Sequence, residues 1–251
     1  MIGIVPANWD EFVSDCLPVD YDEDPTRFAT NQASTARFSL AGDVHAPVAE
    51  RLASATTSAP VLDLGGGNGT LARLLAERGL ATVVVDQAAY VEQAPRPAVR
   101  ANALRLPFIE ASFGAVAALW MLYHLSEPVA ALREVARVLR PGGTFVASTP
   151  SRFNDEEVAD ALPGWGRPFS FDAETAPALV AEVFEVMDVQ YWDAPLIRLP
   201  DVAAIAQFLR GRGLYPEQAQ KWAQRLETPL QVTKRGALIW ATVESWRQRH
   251  P

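Results

Sequence analysis

Hydrophobic residues follow two different patterns along the chain, and the change comes near residue 60. Before it, Val44, Val48 and Leu52 recur at helical spacing, and Asp24 and Asp43 each suit the start of a helix. After it, short apolar runs alternate with segments in which apolar residues recur every three or four positions. The runs predict β-strands, and the segments predict amphipathic helices. The predicted strands span residues 61–64, 81–86, 99–103, 113–119, 144–148, 186–192 and 237–243.

Strands that alternate with helices predict a parallel sheet with helices on both faces. We therefore expect an α/β fold with a doubly wound, Rossmann-like sheet of seven strands, six parallel and the last antiparallel. A single domain is expected over residues 1–251. It would consist of a helical N-terminal cap at 1–58, a ligand-binding core at 59–150 and a helical insertion at 193–235, in which 201–212 and 216–227 are the predicted helices.

Composition and charge narrow the classes of function. The 251 residues carry a formal net charge of −8, which disfavours nucleic acid and anionic membranes as partners. Cys16 is the only cysteine, so an intrachain disulfide and a cysteine-based metal cluster are excluded, and we expect no metal. The first residues lack the basic region of a signal peptide, and the longest apolar run, 113–123, is too short to cross a bilayer. We expect a cytoplasmic protein with no membrane partner, either monomeric or homodimeric.

A glycine-rich turn follows the first predicted strand and opens a helix, in the sequence Val61-Leu62-Asp63-Leu64-Gly65-Gly66-Gly67-Asn68-Gly69. Glycines allow a tight turn and close approach of a ligand, and the helix offers free N–H groups. A dinucleotide fingerprint needs a third glycine where this chain has Thr70. The carboxylate of Asp63 suits a ligand with an ammonium group and would sit badly beside a pyrophosphate. A plain strand-to-helix turn is the alternative interpretation.

Asp86 ends the second predicted strand, 21 residues after Gly65. A carboxylate at this point of a βαβ unit can accept hydrogen bonds from two ribose hydroxyls. The alternative is an aspartate that only begins the next turn.

These residues resemble the class I methyltransferases that depend on S-adenosylmethionine (SAM), in particular the quinone-biosynthesis (UbiE-like) branch. The resemblance covers about residues 59–150. Besides the glycine loop and Asp86, four motifs carry it: Asn102-Ala103-Leu104-Arg105-Leu106-Pro107-Phe108, Ser112-Phe113, His124-Leu125 and Arg137-Val138-Leu139-Arg140-Pro141-Gly142-Gly143. This chain has Asn102 and Gly114 where the family usually has aspartate. The amide oxygen of Asn102 can still accept a hydrogen bond, and Gly114 puts a structural contact in doubt.

The resemblance implies that SAM is the cofactor, bound at the ends of four strands. The implied cofactor-binding residues are Asp63, Gly65, Gly67, Gly69, Asp86, Gln87, Asn102, Ala103, Leu104 and Leu119. The loop with Asp63 would face the methionine end of SAM, and the backbone near Leu119 and Trp120 would close over it. Asp86 would hold the ribose.

The adenine end of SAM has its own implied set of residues. Gln87 would lie beside the adenine, and Asn102 would hydrogen-bond its amino group. Ala103 and Leu104 would flank the ring.

The implied reaction is methyl transfer to a small-molecule acceptor, with a hydroxyl of a secondary or specialised metabolite as the favoured group. N- or C-methylation and SAM binding without methyl transfer are the alternatives. The glycine spacing disfavours oxidoreduction, and the absence of a basic cluster disfavours RNA methylation. His124 is the candidate catalytic base, against a purely structural role, and His45 is a weaker one.

Acceptor choice is expected to reside at about 193–233. This segment leaves the sheet at the edge where ligands bind in such folds. Phe208, Leu209 and Tyr215 are the side chains expected to face the acceptor.

Overall fold

A computed structural model describes residues 24–55 and 59–243 of the protein. The predicted cap at 1–58 lies outside the described residues at 1–23 and 56–58. Contacts divide the chain into two compact units. We call them the sheet unit (Val44–Ser151, Ser170–Trp192 and residues from Gly236) and the helical unit (residues up to Asp43, Arg152–Phe169 and Asp193–Arg235).

The described residues form one seven-stranded sheet in the order β3-β2-β1-β4-β5-β7-β6. Neighbouring strands β1 to β5 pair in parallel, and β7 runs antiparallel to β5. The predicted doubly wound, Rossmann-like fold is confirmed. The strands are β1 Val61–Leu64, β2 Thr82–Asp86, β3 Ala98–Arg100, β4 Phe113–Leu119, β5 Leu139–Pro150, β6 Glu185–Leu199 and β7 Leu230–Thr242.

The helices lie between these strands and before β1. They are α1 Pro25–Phe38, α2 His45–Ala55, α3 Thr70–Glu77, α4 Pro128–Val138, α5 Ala176–Ala181, α6 Val202–Gly211 and α7 Pro216–Ala223. Short 3₁₀ turns cover Ala89–Gln93, Leu122–His124 and Glu156–Ala161. Helices α1, α4 and α7 carry proline in the first turn, where its missing N–H costs nothing. Among the described residues, no helix combines the length and hydropathy of a membrane span.

The strands of the sheet unit are buried on both faces, as the runs of apolar residues predict. Leu62 and Leu64 join one core cluster with residues of α4, while Val61 joins a second cluster with residues of α2 and α3. Successive side chains of a strand point to opposite faces, so β1 contributes to both layers. This double burial explains why β4 is an unbroken apolar run.

The helical unit has a hydrophobic core of its own. It is formed by α1, α6 and α7 with the ends of β6 and β7, and includes Phe38, Leu199, Ile205, Phe208 and Leu209. The carboxylate of Asp155, which is 2% exposed, lies 2.6 Å from Arg212 Nε and 2.5 Å from Lys234 Nζ. The two cations hold the pKa of this carboxyl below its usual range despite its burial.

Four strands differ from the prediction by more than one residue. β5 spans Leu139–Pro150, where the sequence predicts residues 144–148. β6 continues to Leu199, and β7 begins already at Leu230, because charged residues along them find partners that are remote in sequence, such as Asp193 for Arg235 at 2.9 Å. β3 ends at Arg100, short of the predicted 103. The chain turns there because the side chain of Asn102 accepts a hydrogen bond from the Leu104 N–H.

Candidate functional site

The loop between β1 and α3 depends on glycine at several positions. Gly65, Gly67 and Gly69 have φ values of 67°, 56° and 84°, in the left-handed region that other residues rarely adopt. Gly65 donates a hydrogen bond to Val85 O at 2.7 Å, which ties the loop to β2. A Cβ on Gly65 would lie 2.5 Å from Met121 Cβ. The loop therefore brings its backbone within contact of the turn that follows β4.

Asp63 lies beneath this loop at the end of β1. Its residue is 2% exposed, and its Oδ2 finds no hydrogen-bond partner among the described residues. A Cβ on Gly66 would lie 2.5 Å from Asp63 Cγ, so only glycine fits over the carboxylate. Burial raises the pKa of Asp63 to about 7, although the nearby His45 and the Ala72 backbone oppose the shift. A buried carboxylate oxygen of this kind fits the ammonium group of SAM.

Asp86 joins the glycine loop to the end of β2. Its Oδ2 accepts a hydrogen bond from the Gly67 N–H at 2.9 Å, and its Oδ1 accepts one from the Ala88 N–H at 2.9 Å. A carboxylate has about four lone-pair sites, so one that fixes a loop can also accept hydrogen bonds from ribose hydroxyls. The structure adds a role that the sequence does not show, since Asp86 also fixes the loop.

The residues expected around adenine lie in neighbouring turns. Gln87 is exposed, and its carbonyl oxygen accepts a hydrogen bond from Arg100 Nε at 2.8 Å. Asn102 is exposed, Ala103 is buried, and the Ala101 N–H donates to Asp86 O at 3.0 Å. The 101–104 turn is thus held beside the end of β2, next to the proposed ribose site.

Residues 62–147 match a family model described as a methyltransferase domain. This domain belongs to the class I SAM-dependent methyltransferases. SAM is the cofactor of the domain.

Three curated relatives have similar sequences. An uncharacterized methyltransferase from Mycobacterium sp. (strain JLS) is 36% identical over 135 residues, 49% of this chain and 54% of the relative. A demethylmenaquinone methyltransferase from Mycobacterium sp. (strain KMS) is 32% identical over 165 residues, 61% of this chain and 66% of the relative. A 23S rRNA (guanine(748)-N(1))-methyltransferase from Streptomyces fradiae is 35% identical over 159 residues, 55% of this chain and 54% of the relative. The chain thus spans between about half and two thirds of the length of these relatives.

The fold has close counterparts among solved structures. The YcgJ protein from Bacillus subtilis superposes with a TM-score of 0.61 and 21% identity, covering 80% of this chain and 99% of that protein. At this identity the likeness shows the fold alone.

Two side chains of α4 form a clamp that holds the loop at residues 102–108 of the methyltransferase domain. Arg137 donates hydrogen bonds to Phe108 O at 2.7 Å and Leu106 O at 3.0 Å. Glu134 accepts one from the Leu106 N–H at 2.9 Å and pairs with Arg137. Hydrogen bonding to Arg137 lowers the pKa of Glu134. The sequence places Arg137 in a family motif but gives it no role, and the spacing Glu134 to Arg137 was the available signal.

The turn after β4 faces the glycine loop. Leu119 is buried, and Trp120 has a φ of 59°, an uncommon conformation for a bulky residue. The Trp120 N–H donates to Ser148 O and Oγ at 3.1 and 3.2 Å. His124 ends the short turn that begins one residue after Met121, and its ring lies 4.4 Å from that of Tyr123. The candidate base His124 therefore lies on the same turn as Met121, which adjoins Gly65.

The expected acceptor contacts of the helical insertion are in part wrong. Phe208 is 3% exposed and Leu209 is fully buried, and both pack in the core of the helical unit. Phe208 lies beneath Arg212, whose Cζ is 4.5 Å from the ring centre. Side chains buried in a core cannot also line an open pocket. Tyr215 is 73% exposed, so its role stays a prediction.

Proposed function

We propose that this protein transfers a methyl group from SAM to a hydroxyl group of a small-molecule acceptor. The observation that carries the proposal is the buried Oδ2 of Asp63 beneath the glycine loop, which has no hydrogen-bond partner within residues 24–55 and 59–243. It supplies an anionic oxygen for the methionine ammonium, while Asp86 at the end of β2 supplies acceptors for the ribose. The match to the methyltransferase domain supports the same assignment.

When bound, SAM supplies a methyl group made electrophilic by the sulfonium. The acceptor oxygen forms its bond to the methyl carbon as the carbon–sulfur bond breaks, and the hydroxyl proton leaves to a base. The task of the chain is to hold the reacting atoms in line in a site that excludes water. We assign the binding of SAM to the loop with Asp63 and to Asp86, and the base to His124 on the turn after β4.

An RNA acceptor is the second candidate, because the Streptomyces fradiae relative is named for an rRNA guanine. The net charge of −8 opposes it, since RNA affinity depends on lysine and arginine that neutralise phosphates. We therefore propose a small molecule and no nucleic-acid partner.

A label-transfer assay tests the proposal. The full chain is incubated with SAM labelled in the methyl group, and with a panel of phenols, alcohols, amines or deproteinised rRNA as acceptor. Label in a hydroxyl compound, located on oxygen by NMR, is the expected result. Label in rRNA alone would overturn the small-molecule assignment, and binding of SAM without transfer to any acceptor would indicate a protein that binds SAM for another purpose.

A further inference from the structure

Two tryptophans form a corner at the carboxyl end of the sheet in the sheet unit. Trp120 follows the last residue of β4, and Trp192 lies on β6. Their ring centres are 5.7 Å apart and their planes meet at 72°. Both tryptophans are partly exposed. No step of methyl transfer as described above uses either ring.

Each indole is fixed by the backbone around it. Trp120 has a φ of 59°, held by two hydrogen bonds from its N–H to Ser148 O and Oγ. Trp192 lies directly on β7, because a Cβ on Gly236 would be 2.2 Å from Trp192 Cζ2. Trp120 thus depends on an uncommon backbone conformation, and Trp192 depends on a glycine at position 236. Conformations of this kind are found more often at functional sites than elsewhere.

The corner lies on the part of the fold where an acceptor is needed. Parallel strands bind ligands outside their carboxyl ends, and Trp120 stands at that end of β4. Met121, the next residue, contacts Gly65 of the cofactor loop. The surface beside Trp120 is therefore separated from the loop by one residue of the turn.

We propose that the Trp120–Trp192 corner selects a planar aromatic acceptor, which stacks on one indole and meets the other with its edge. The inference rests on the proposed function and names the class of its acceptor. Aromatic rings attract one another in offset-stacked and edge-to-face arrangements, and two perpendicular indoles offer one ring both of them. A saturated ring of the same outline keeps the hydrophobic contact but loses these ring–ring terms.

The test compares 2-naphthol with decahydro-2-naphthol, which shares its carbon skeleton and hydroxyl group. Each is titrated into the full chain saturated with S-adenosylhomocysteine, and binding is measured by calorimetry. We expect 2-naphthol to bind about tenfold more tightly. The preference is the ratio of the dissociation constants of decahydro-2-naphthol and 2-naphthol. This ratio should fall to about one in Trp192→Leu and remain above one in Trp192→Phe.

Tyr191→Leu is the matched control, because Tyr191 precedes Trp192 on the same strand, points to the other face and is 64% exposed. It should keep the wild-type preference, and all three variants should keep S-adenosylhomocysteine affinity within about twofold, ~0.4 kcal/mol. Equal binding of the two naphthols by the wild type, binding of neither, or a preference unchanged in Trp192→Leu overturns the proposal. Failure of the wild type to bind S-adenosylhomocysteine instead contradicts the proposed function.

Discussion

At the scale of single residues, the buried carboxylate of Asp63 is the group proposed to bind the ammonium of SAM. It is buried beneath the glycine loop with one oxygen unpartnered among the described residues, and burial raises its pKa to about 7. The charged groups that act on it are His45 and Arg73, which lower its pKa, and Asp86, which raises it. The ammonium of bound SAM would add a further cation beside this carboxylate.

The pH dependence of stability follows from this shift. The pKa is higher in the folded than in the unfolded chain, so between pH 4 and pH 7 the folded state holds the extra proton. The stability that this side chain contributes is present below about pH 4 and is lost as pH rises to about 7. We therefore expect the effect of Asp63→Asn on the free energy of unfolding of the apoprotein to depend on pH. The effect should be more stabilising at pH 8 than at pH 4 by roughly 2–4 kcal/mol.

Urea unfolding at the two pH values, with and without S-adenosylhomocysteine, measures the effect. At pH 8 the ligand should stabilise the wild type more than Asp63→Asn, because only the wild type offers a carboxylate to the ammonium. A substitution effect on the free energy of unfolding that is the same at both pH values would show that Asp63 does not titrate in this range.

Asp86 should matter for cofactor affinity more than for the fold. Asp86→Ala removes the acceptors proposed for the ribose and the hydrogen bond from the Gly67 N–H, so we expect SAM binding to weaken by roughly 1.5–3 kcal/mol per charge-assisted bond lost. Calorimetry gives the dissociation constant, and circular dichroism checks the fold. Asp86→Asn keeps one acceptor oxygen, so its dissociation constant for SAM should lie between those of the wild type and Asp86→Ala. An unchanged dissociation constant in Asp86→Ala would rule out the ribose assignment.

Substitutions of His124 distinguish a role in positioning from a role in proton transfer. If His124 is the base for a hydroxyl acceptor, His124→Ala should lower kcat by about 10²-fold. The pH profile of the wild type should then show a limb near neutral pH that is absent in the variant. His124→Gln keeps a hydrogen-bonding side chain and should recover activity only if the role is structural. A wild-type profile that is flat across neutral pH excludes an acid–base role in the rate-limiting step.

At the scale of elements, α4 holds the loop at residues 102–108, part of the proposed cofactor site, through the Glu134–Arg137 clamp. Arg137→Met removes the hydrogen bonds to Leu106 O and Phe108 O and should cost about 1–3 kcal/mol of stability, with faster amide exchange confined to the loop 102–108. Hydrogen exchange followed by mass spectrometry measures this. Arg133→Met, an exposed position on the same helix, is the control. Equal exchange in the two variants would mean that the clamp does not hold the loop.

The sequence predicts these elements well where burial alone decides them. β4 is predicted to the residue, Phe113–Leu119, because both of its faces are covered and its apolar run is unbroken. β6 and β7 are underestimated, because charges such as those of Lys234 and Arg235 interrupt the pattern and are neutralised by residues far away in the chain. The sequence also predicts Asp63 and the glycines as candidate site residues, from their chemistry and their spacing. The contact of Trp192 with Gly236 cannot be predicted in this way, because it exists only in the folded sheet.

At the scale of the whole molecule, composition and fold point to the same class of acceptor. The net charge of −8 disfavours a polyanion, and the sheet unit contains the groups proposed to bind SAM together with an aromatic corner at the carboxyl end of β4. The described residues include no group of three or more side chains able to hold a metal ion. The helical unit has its own core, so Phe208 and Leu209 support that unit, and acceptor choice is better sought at the sheet.

We propose that the loop at residues 64–70 holds SAM, and calorimetric titration of the full chain can show whether it does. The ligands are SAM, S-adenosylhomocysteine and NADH, added separately at one pH and salt concentration. We expect SAM and S-adenosylhomocysteine each to bind at one site per chain. NADH should give no binding heat, because Thr70 occupies the position of the third glycine of a dinucleotide fingerprint. Tight binding of NADH with no heat from SAM would contradict this proposal.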